Sequence, residues 1–248
     1  MSEELDLLVR EAEKKKAQLA QKTLAPETID AYQERFFFSD IYHSLAIEGN
    51  ELTLEEIEEI LTKNTVIPGK SLIDHINVVG YRDAVLQSRD YVNHHTRITE
   101  HEIRKLHNKL LIAHQQVSGE YRSYNMMIRG HRPTSYEKVP YKMVQLADRM
   151  GVIEDEHPIE AIAFLHLRLE KIHPFGDGNG RVGRIIINTM LAQHEYPQVI
   201  FNIDEKERYY KALEAYDGLQ GNPQTEPMQI YLAELVIRQL DELLALAD

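Results

Sequence analysis

Two apolar helical segments separated by a short glycine-rich stretch constrain the fold of this chain more than any other feature. Residues 158–172 are apolar on most faces of a helix, and residues 179–194 carry a second apolar run, so both are predicted to be buried helices. The sequence where they meet, residues 173–184, reads HPFGDGNGRVGR and holds four of the chain's 12 glycines. Glycine in a helix costs about 1 kcal/mol relative to alanine. So many glycines between two core helices therefore need a reason.

The rest of the chain also has helical character, and capping residues mark several helix ends. A helix is predicted from Pro26 or Glu27 to Glu48, where Gly49 and Asn50 form a stop signal. Further helices are predicted at residues 72–93, from about Thr99 with Glu102 in a capping position, after Pro140, and behind a capping box formed by Thr53 and Glu56. The predicted fold class is all-α.

Residues 119–140 are the one segment whose pattern favours β structure. Apolar residues such as Tyr121 and Ile128 mix there with the turn formers Gly130 and Pro133. We predict a short β-hairpin or an ordered loop.

Composition excludes several classes of function. The chain has 248 residues and no cysteine, which rules out disulfides, thiolate catalysis and cysteine-based zinc sites. Its formal net charge of −12 disfavours a nucleic-acid-binding surface. No apolar run is long enough to span a membrane, and the charged N-terminus lacks the apolar core of a signal peptide. We expect a cytoplasmic protein that binds neither nucleic acid nor membrane.

The glycine-rich stretch has the residues of an anion-binding site. Gly178, Asn179 and Gly180 stand at the start of a predicted buried helix, where the first backbone N–H groups lack intrahelical partners. Glycines let those groups face a ligand, and the helix dipole favours negative charge there. The pattern is typical of a phosphate site.

The neighbouring side chains add chemistry to that site. Arg181 and Arg184 lie on one face of the first turns and suit phosphate oxygens. Asp177 offers the hard oxygen ligand that Mg²⁺ takes beside phosphates, and His173 can accept a proton near neutral pH. Together these residues predict transfer of a phosphate-containing group to a hydroxyl. The alternative is a plain helix–loop–helix corner with glycines for turning and arginines in solvent.

This stretch resembles the signature of the Fic family, H-P-F-x-[DE]-G-N-G-R-x-x-R, and matches it at every specified position. The resemblance covers about residues 70–235. Residues 44–50, SLAIEGN, are similar to the [ST]-x-x-x-E-[GN] pattern of the subgroup with an N-terminal inhibitory helix. The family implies a Fic-type helical bundle with a β-hairpin flap beside the active-site loop. We accordingly expect an N-terminal helical segment, 1–70, and a catalytic core with a C-terminal helix, 71–248, as one compact unit.

The resemblance implies a protein adenylyltransferase, which moves AMP from ATP to a Ser, Thr or Tyr hydroxyl. The implied roles are His173 as general base, Asp177 as ligand of Mg²⁺, Gly178, Asn179 and Gly180 as anion hole with Asn179 on the α-phosphate, Arg181 on the β-phosphate, Arg184 on the γ-phosphate, and Phe175 as loop anchor. The related Doc branch carries lysine in place of Gly180 and transfers a phosphate. Glycine therefore favours AMP transfer here.

Glu48 is implied to be an inhibitory residue. Paired with Arg184 and preceded by the hydroxyl of Ser44, it would occupy the arginine that the γ-phosphate needs. In some members of this subgroup the same glutamate is thought to help remove AMP from a target. The alternative is a solvated glutamate in a last helical turn.

Other residues are implied less directly. Met126 and Ile128 of the flap would contact the target protein, and Tyr210 would contact the nucleotide base. Asp217 stands where relatives often carry asparagine, and Asn77 resembles a position that supports the inhibitory helix. An ordinary surface hairpin and simple helix packing are the alternatives for the flap and for Tyr210.

The resemblance leaves the partners and the output of the site open. Self-modification and a homodimer contact through the C-terminal helix are both possible. A catalytically silent nucleotide-binding regulator is the alternative from another class. A transferase that uses another donor, such as UMP or phosphocholine, is the alternative among enzymes.

Overall fold

Ten α-helices make up most of the described chain, which comprises residues 2–114, 116–129, 132–150, 156–217 and 222–247 of a computed structural model. They are α1 (Glu3–Leu19), α2 (Pro26–Ile47), α3 (Leu54–Lys63), α4 (Leu72–Asn93), α5 (Glu100–Leu110), α6 (Val139–Met150), α7 (Pro158–Ile172), α8 (Asn179–Gln193), α9 (Lys206–Asp217) and α10 (Glu226–Leu246). No described residue belongs to a β-strand, which confirms the all-α prediction. Within the same ranges, no helix is long and apolar enough to cross a membrane.

Helix ends follow the capping residues predicted from sequence. The Thr53 hydroxyl accepts the N–H of Glu56, while the Glu56 carboxylate accepts the N–H of Thr53, so the capping box is present. Pro158 stands in the first turn of α7. Helix α8 ends at Gln193, one residue earlier than predicted, with His194 as its cap.

The end of α2 determines where Glu48 lies. Glu48 is the cap residue, and Gly49 follows with φ of +93°, a left-handed conformation that glycine adopts without strain. The N–H groups of Gly49 and Asn50 donate to the carbonyls of Ala46 and Leu45 at 3.0 and 3.1 Å. This arrangement is a Schellman motif, and it stops the helix immediately after Glu48.

Helices α7 and α8 form the centre of the molecule. α7 packs on α6, α8, α9 and α10, and α8 packs on α2, α4 and α5. One hydrophobic cluster extends from Ala12 to Leu240, with α1 lying along α10. Leu232, Leu235 and Leu240 of α10 are buried within the chain, so this helix packs internally. A dimer contact and the division at residue 70 stay predictions.

The predicted hairpin is not seen as paired strands. Among the described residues of 119–140, only Ile128 forms an isolated bridge, and Tyr136–Lys138 is a short 3₁₀ turn. Gly130, assigned to the turn, and residue 131 lie outside the described residues. The flap is therefore an irregular segment as far as it is described, and strand pairing there stays a prediction.

A close helix crossing supports a prediction about stability. At Gly80 of α4 an added Cβ would lie 2.2 Å from the Leu110 carbonyl oxygen, a backbone atom that cannot move aside cheaply. Gly80→Ala is expected to lower the free energy of unfolding by about 2–3 kcal/mol and the melting temperature by about 5–10 °C. Thermal unfolding followed by circular dichroism measures this, with the exposed Asp90→Ala on the same helix as control. Equal melting temperatures for wild type and Gly80→Ala would show that the two backbones move apart enough to accommodate the added Cβ.

Candidate active site

A cavity of about 260 Å³ lies where the end of α2, the loop after α7, the flap and α9 meet. It brings together seven residues singled out from sequence: Glu48, Ile128, His173, Gly180, Arg184, Tyr210 and Asp217. Met126, half-buried, is not among the described residues that line it.

Arg184 is clamped by the last turns of α2. Its side chain is 1% exposed, its Nη2 donates to the Glu48 carboxylate at 2.8 Å, and its Nε donates to the Ser44 hydroxyl at 2.8 Å. The Ser44 carbonyl accepts a further bond from Nη2 at 2.9 Å. Burial alone would lower the pKa of Arg184, but the charge and hydrogen bond of Glu48, together with Tyr209 and Tyr81, raise it. The residues implied by the inhibitory pattern are therefore in direct contact.

The Glu48 carboxylate also lies over the first turn of α8. A Cβ built on Gly180 would stand 2.7 Å from Glu48 Oε1 and 3.1 Å from Arg184 Nη1. The absence of a side chain at Gly180 thus makes room for an anion at a helix N-terminus, where the dipole favours it. Arg184 Nη1 is buried and has no hydrogen-bond partner among the described residues.

The loop between the two helices is held by its own residues. Gly178 caps α8 with φ of +78°. The Asn179 amide accepts from the Phe175 N–H and donates to the Phe175 carbonyl, both at 2.9 Å. Phe175 is fully buried, as expected of an anchor, and stacks on the His107 ring at 3.7 Å. The side chain of Asn179 thus already has partners here, and a contact with a phosphate stays a prediction.

Two residues that sequence reasoning missed tie this loop to the flap. His107 donates from Nε2 to the Asp177 carbonyl and accepts from the Gly119 N–H at Nδ1; burial lowers its pKa to about 4, so the ring is neutral. Arg122, 5% exposed, donates to the carbonyls of His173 at 2.8 Å and Tyr124 at 2.7 Å. It also donates to the carbonyl of Thr134.

Asp177 is the residue whose carboxylate oxygens fit a divalent cation. Its side chain is 67% exposed, and its two oxygens accept from the Gly178 N–H and from Arg181 Nη2 at 2.7 and 2.8 Å. Although burial opposes it, the charge of Arg181 holds the pKa of Asp177 below its usual range. Arg181 also donates to Asn77 at 3.4 Å. The described residues contain no cluster of three or more metal-ligating side chains. A cation here would take Asp177 together with ligand oxygens.

His173 ends α7 with φ of +47° and a side chain 14% exposed. Its Nδ1 lies 3.5 Å from Oε2 of Glu170, a residue not singled out from sequence. The available signal was an acidic residue three positions before the histidine, near the end of a helix whose buried faces are mostly apolar.

One end of the cavity is formed by α9 and the flap. Tyr209 is buried and its hydroxyl bonds His166 Nε2 at 2.8 Å, whereas Tyr210 faces the cavity beneath the Arg129 guanidinium, 3.9 Å from its ring centre. Asp217 lines the same cavity and its carboxylate lies 2.8 Å from the Lys171 amine. Tyr210 is thus placed to meet a bound group.

Asp40, one turn before Ser44 on α2, makes the stability of this region depend on pH. It is 5% exposed with the Tyr81 hydroxyl 3.4 Å away, and burial raises its pKa to about 7 although the Arg184 charge opposes this. Because the folded-state pKa is raised, the stabilisation of the fold by protonated Asp40 is complete below about pH 4 and is lost as pH rises through about 7.

Asp40→Asn is expected to be more stable than wild type at pH 8, by about 4 kcal/mol at most, and to lack this dependence of stability on pH. Urea unfolding at pH 5 and pH 8 tests it, with exposed Asp30→Asn as control. A variant with the wild-type slope would contradict it.

Comparisons with known proteins agree with this geometry. Residues 97–191 match the sequence profile of the Fic/DOC family. The protein adenylyltransferase Fic of Nematostella vectensis is 32% identical over 213 residues, which cover 84% of this chain and 49% of that protein. The protein adenylyltransferase fic-1 of Caenorhabditis elegans is 34% identical over 71% of this chain and 36% of its own length. The chain thus spans about half, or less, of the curated relatives it matches.

Solved structures show the same fold over nearly the whole chain. A Fic-domain-containing signaling protein from Bacteroides thetaiotaomicron has a TM-score of 0.87 at 26% identity and covers 96% of both chains. A fragment of Fic-1 from C. elegans has a TM-score of 0.89 at 25% identity, covering 97% of this chain and 72% of that fragment. With the family profile and the loop geometry, these likenesses show that the chain belongs to the Fic/DOC family.

Proposed function

We propose that this protein is a protein adenylyltransferase that transfers AMP from ATP to a Ser, Thr or Tyr hydroxyl of a target protein. The observation that carries the proposal is the pairing of Glu48 with Arg184 over the first turn of α8, in a cavity shared with His173. The carboxylate lies where cationic and dipolar groups favour an anion. A nucleotide phosphate would replace it.

The proposal assigns each part of ATP to residues that line the cavity or stand beside it. Arg184 and the N–H groups of the α8 N-terminus would hold phosphates, with Arg181 beside them. Asp177 would hold Mg²⁺ against the phosphates, and the ion would neutralise their charge. The ring face of Tyr210 and the side chain of Ile128, which lines the same cavity, would offer an apolar surface for the adenine base.

His173 would act as the general base. It takes the proton of the target hydroxyl, whose oxygen attacks the α-phosphorus while the bond from that phosphorus to the bridging oxygen breaks, releasing pyrophosphate. The products are an AMP ester of the target and protonated His173. The fixed donors around Gly180 and Arg184 stabilise the charge that develops on the phosphoryl oxygens.

Glu48 would keep the enzyme largely inactive. While it pairs with Arg184, the γ-phosphate has no cationic partner there, and ATP binds in a pose that does not align its α-phosphate. Ser44 strengthens the pairing, because its hydroxyl and carbonyl hold the guanidinium in the orientation that meets Glu48.

The target would dock at the flap. Ile128 lines the cavity and Met126 lies two residues before it, so an extended target segment paired along residues 126–128 would bring a hydroxyl toward His173. Cytoplasmic proteins are the proposed target class, and the chain itself is a further candidate substrate.

The same cavity favours a reverse reaction as a second activity. Glu48 is 35% exposed and lines the cavity with His173. It would take a proton from water, whose oxygen attacks the α-phosphorus while the bond from that phosphorus to the target oxygen breaks. Protonated His173 would give its proton to that oxygen, which restores the target hydroxyl and leaves free AMP. Release of AMP from a modified target by wild type, absent with Glu48→Gly, is the expected result. Equal release by both would exclude a role for Glu48.

The position of the transferred label tests the proposal. Glu48→Gly is incubated with Mg²⁺, cell lysate and ATP labelled at the α- or the γ-phosphate, with His173→Ala on the same background as control. We expect protein labelling from the α-label only, lost with His173→Ala; a labelled band of the protein's own mass reports self-modification. Labelling from γ only would mean phosphate transfer. No labelling would favour the silent regulator, or a UMP or phosphocholine donor, which a donor panel distinguishes.

A further inference from the structure

Glu170 lies beside the proposed base on the same helix. It precedes His173 by three residues, and its Oε2 is 3.5 Å from His173 Nδ1. Residues three apart on a helix face the same side, so the contact follows from the helix itself. The two side chains are 15% and 14% exposed, and both line the cavity.

The local structure keeps Glu170 in this position. A Cβ on Gly183 would lie 3.3 Å from Glu170 Oε1 and 2.8 Å from His166 Nδ1, so α8 closes over both side chains. Glu170 Oε1 has no accessible surface and no hydrogen-bond partner among the described residues. One carboxylate oxygen is thus packed against α8 and the other faces His173.

The charges around Glu170 favour its ionised form. Burial opposes ionisation, yet the hydrogen bond to His173 and the charge of Arg184 lower the pKa of Glu170. Burial lowers the pKa of His166 to about 4, so that ring is neutral. His166 donates or accepts at Nε2 with the Tyr209 hydroxyl, 2.8 Å away. An acceptor-only carboxylate therefore stands at His173 Nδ1.

A neutral imidazole carries a single N–H, so its hydrogen-bond partner decides which nitrogen is free. When Nδ1–H donates to a carboxylate, Nε2 is left with its lone pair as the acceptor. The backbone of His173 is separately fixed, because Arg122 holds its carbonyl at 2.8 Å. The remaining freedom is the orientation and tautomer of the ring.

We infer that Glu170 is a positioning residue that holds His173 in the Nδ1–H tautomer and directs Nε2 toward the target hydroxyl. The effect of Glu170 on catalysis rests on the proposed function, whereas its effect on the tautomer of His173 does not. It pairs the proposed base, His173, with a residue that orients it, Glu170, in addition to the loop residues already assigned.

The tautomer can be measured without turnover. In wild-type protein labelled with ¹⁵N-histidine at about pH 9, where an ordinary imidazole is neutral, the ring nitrogens of His173 are expected to show mainly the Nδ1–H form. The signals that disappear in His173→Ala assign them. A predominant Nε2–H form in wild type would overturn the inference, whether or not any variant folds.

Variants test the consequence for the rate. On the Glu48→Gly background, Glu170→Gln is expected to lower kcat for AMP transfer about 10- to 100-fold. A general base contributes about 10²–10⁴-fold to the rate, and the orientation of its ring accounts for only part of that factor. KM for ATP is not expected to rise, since Glu170 is not placed on a phosphate. Glu170→Asp, which keeps the charge, should recover part of kcat and of the Nδ1–H signal. Glu160→Gln, the same charge change at the far end of α7, is the matched control.

Failure of the inference and failure of the proposed function give different results. If the Glu48→Gly parent labels no protein, the proposed function fails, and the tautomer measurement still decides the role of Glu170. If the parent labels protein and Glu170→Gln keeps both kcat and the His173 tautomer, the positioning role is refuted.

Discussion

Replacing Glu48 with glycine is expected to raise the initial rate of AMP transfer about 10- to 100-fold over wild type. The substitution removes the carboxylate that lies 2.8 Å from Arg184 Nη2. A hydrogen bond to a charged group contributes about 1.5–3 kcal/mol, and about 1.4 kcal/mol corresponds to a tenfold change. The freed guanidinium then meets the γ-phosphate instead. Incorporation of α-labelled ATP into protein measures the ratio.

Two variants separate this effect from a general loosening of α2. Glu48→Gln keeps the shape without the charge and should give an intermediate rate. Glu51→Gly, in the exposed segment just beyond the helix, should leave the rate at the wild-type value. The Ser44 contacts remain in all three proteins. An unchanged rate in Glu48→Gly, with ATP bound and the fold intact, would refute the inhibitory role.

Removing the imidazole of His173 should lower AMP transfer about 10²- to 10⁴-fold, the usual contribution of a positioned general base. The effect should fall on kcat, because the proposed phosphate contacts come from Arg181, Arg184 and the start of α8, which the substitution leaves in place. His173→Ala on the Glu48→Gly background, with ATP affinity measured by calorimetry, tests both parts.

The control for His173 is another histidine with no place in the cavity. His94 is 71% exposed at the end of α4, and His94→Ala should keep the full rate. A His173→Ala protein that transfers AMP at an undiminished rate would show that the proton leaves by another path. Loss of ATP affinity in the same variant would instead assign His173 to nucleotide binding.

Features determined within a few residues were predictable from sequence. The capping box at Thr53, the proline start of α7 and the glycine stop after Glu48 all act within one turn of the chain. The loop at 173–184 was predictable for the same reason, since its glycines and the two apolar segments beside it are consecutive in the chain.

Contacts between distant segments were not predictable in this way. Arg122 reads as one of many arginines until the fold places it against the carbonyls of the flap and the loop. Neither helix period nor composition shows that Asp40 is buried or that the Asn179 amide is bound to Phe175. The pairing of Glu48 with Arg184 was reachable only because the resemblance joined two positions 136 residues apart.

The Schellman end of α2 would make the proposed inhibition a property of one helix terminus. Glu48 caps the helix just before Gly49, and Ile41, Leu45 and Ile47 hold the residues before it in the core. Helix ends fray far more readily than helices separate from a core. A binding partner that displaces only this terminus would carry the carboxylate away from Arg184 and leave the rest of α2 packed. The energetic threshold for activation would then be set by this end of the helix, including the buried Ile47, and not by release of the whole helix from the core.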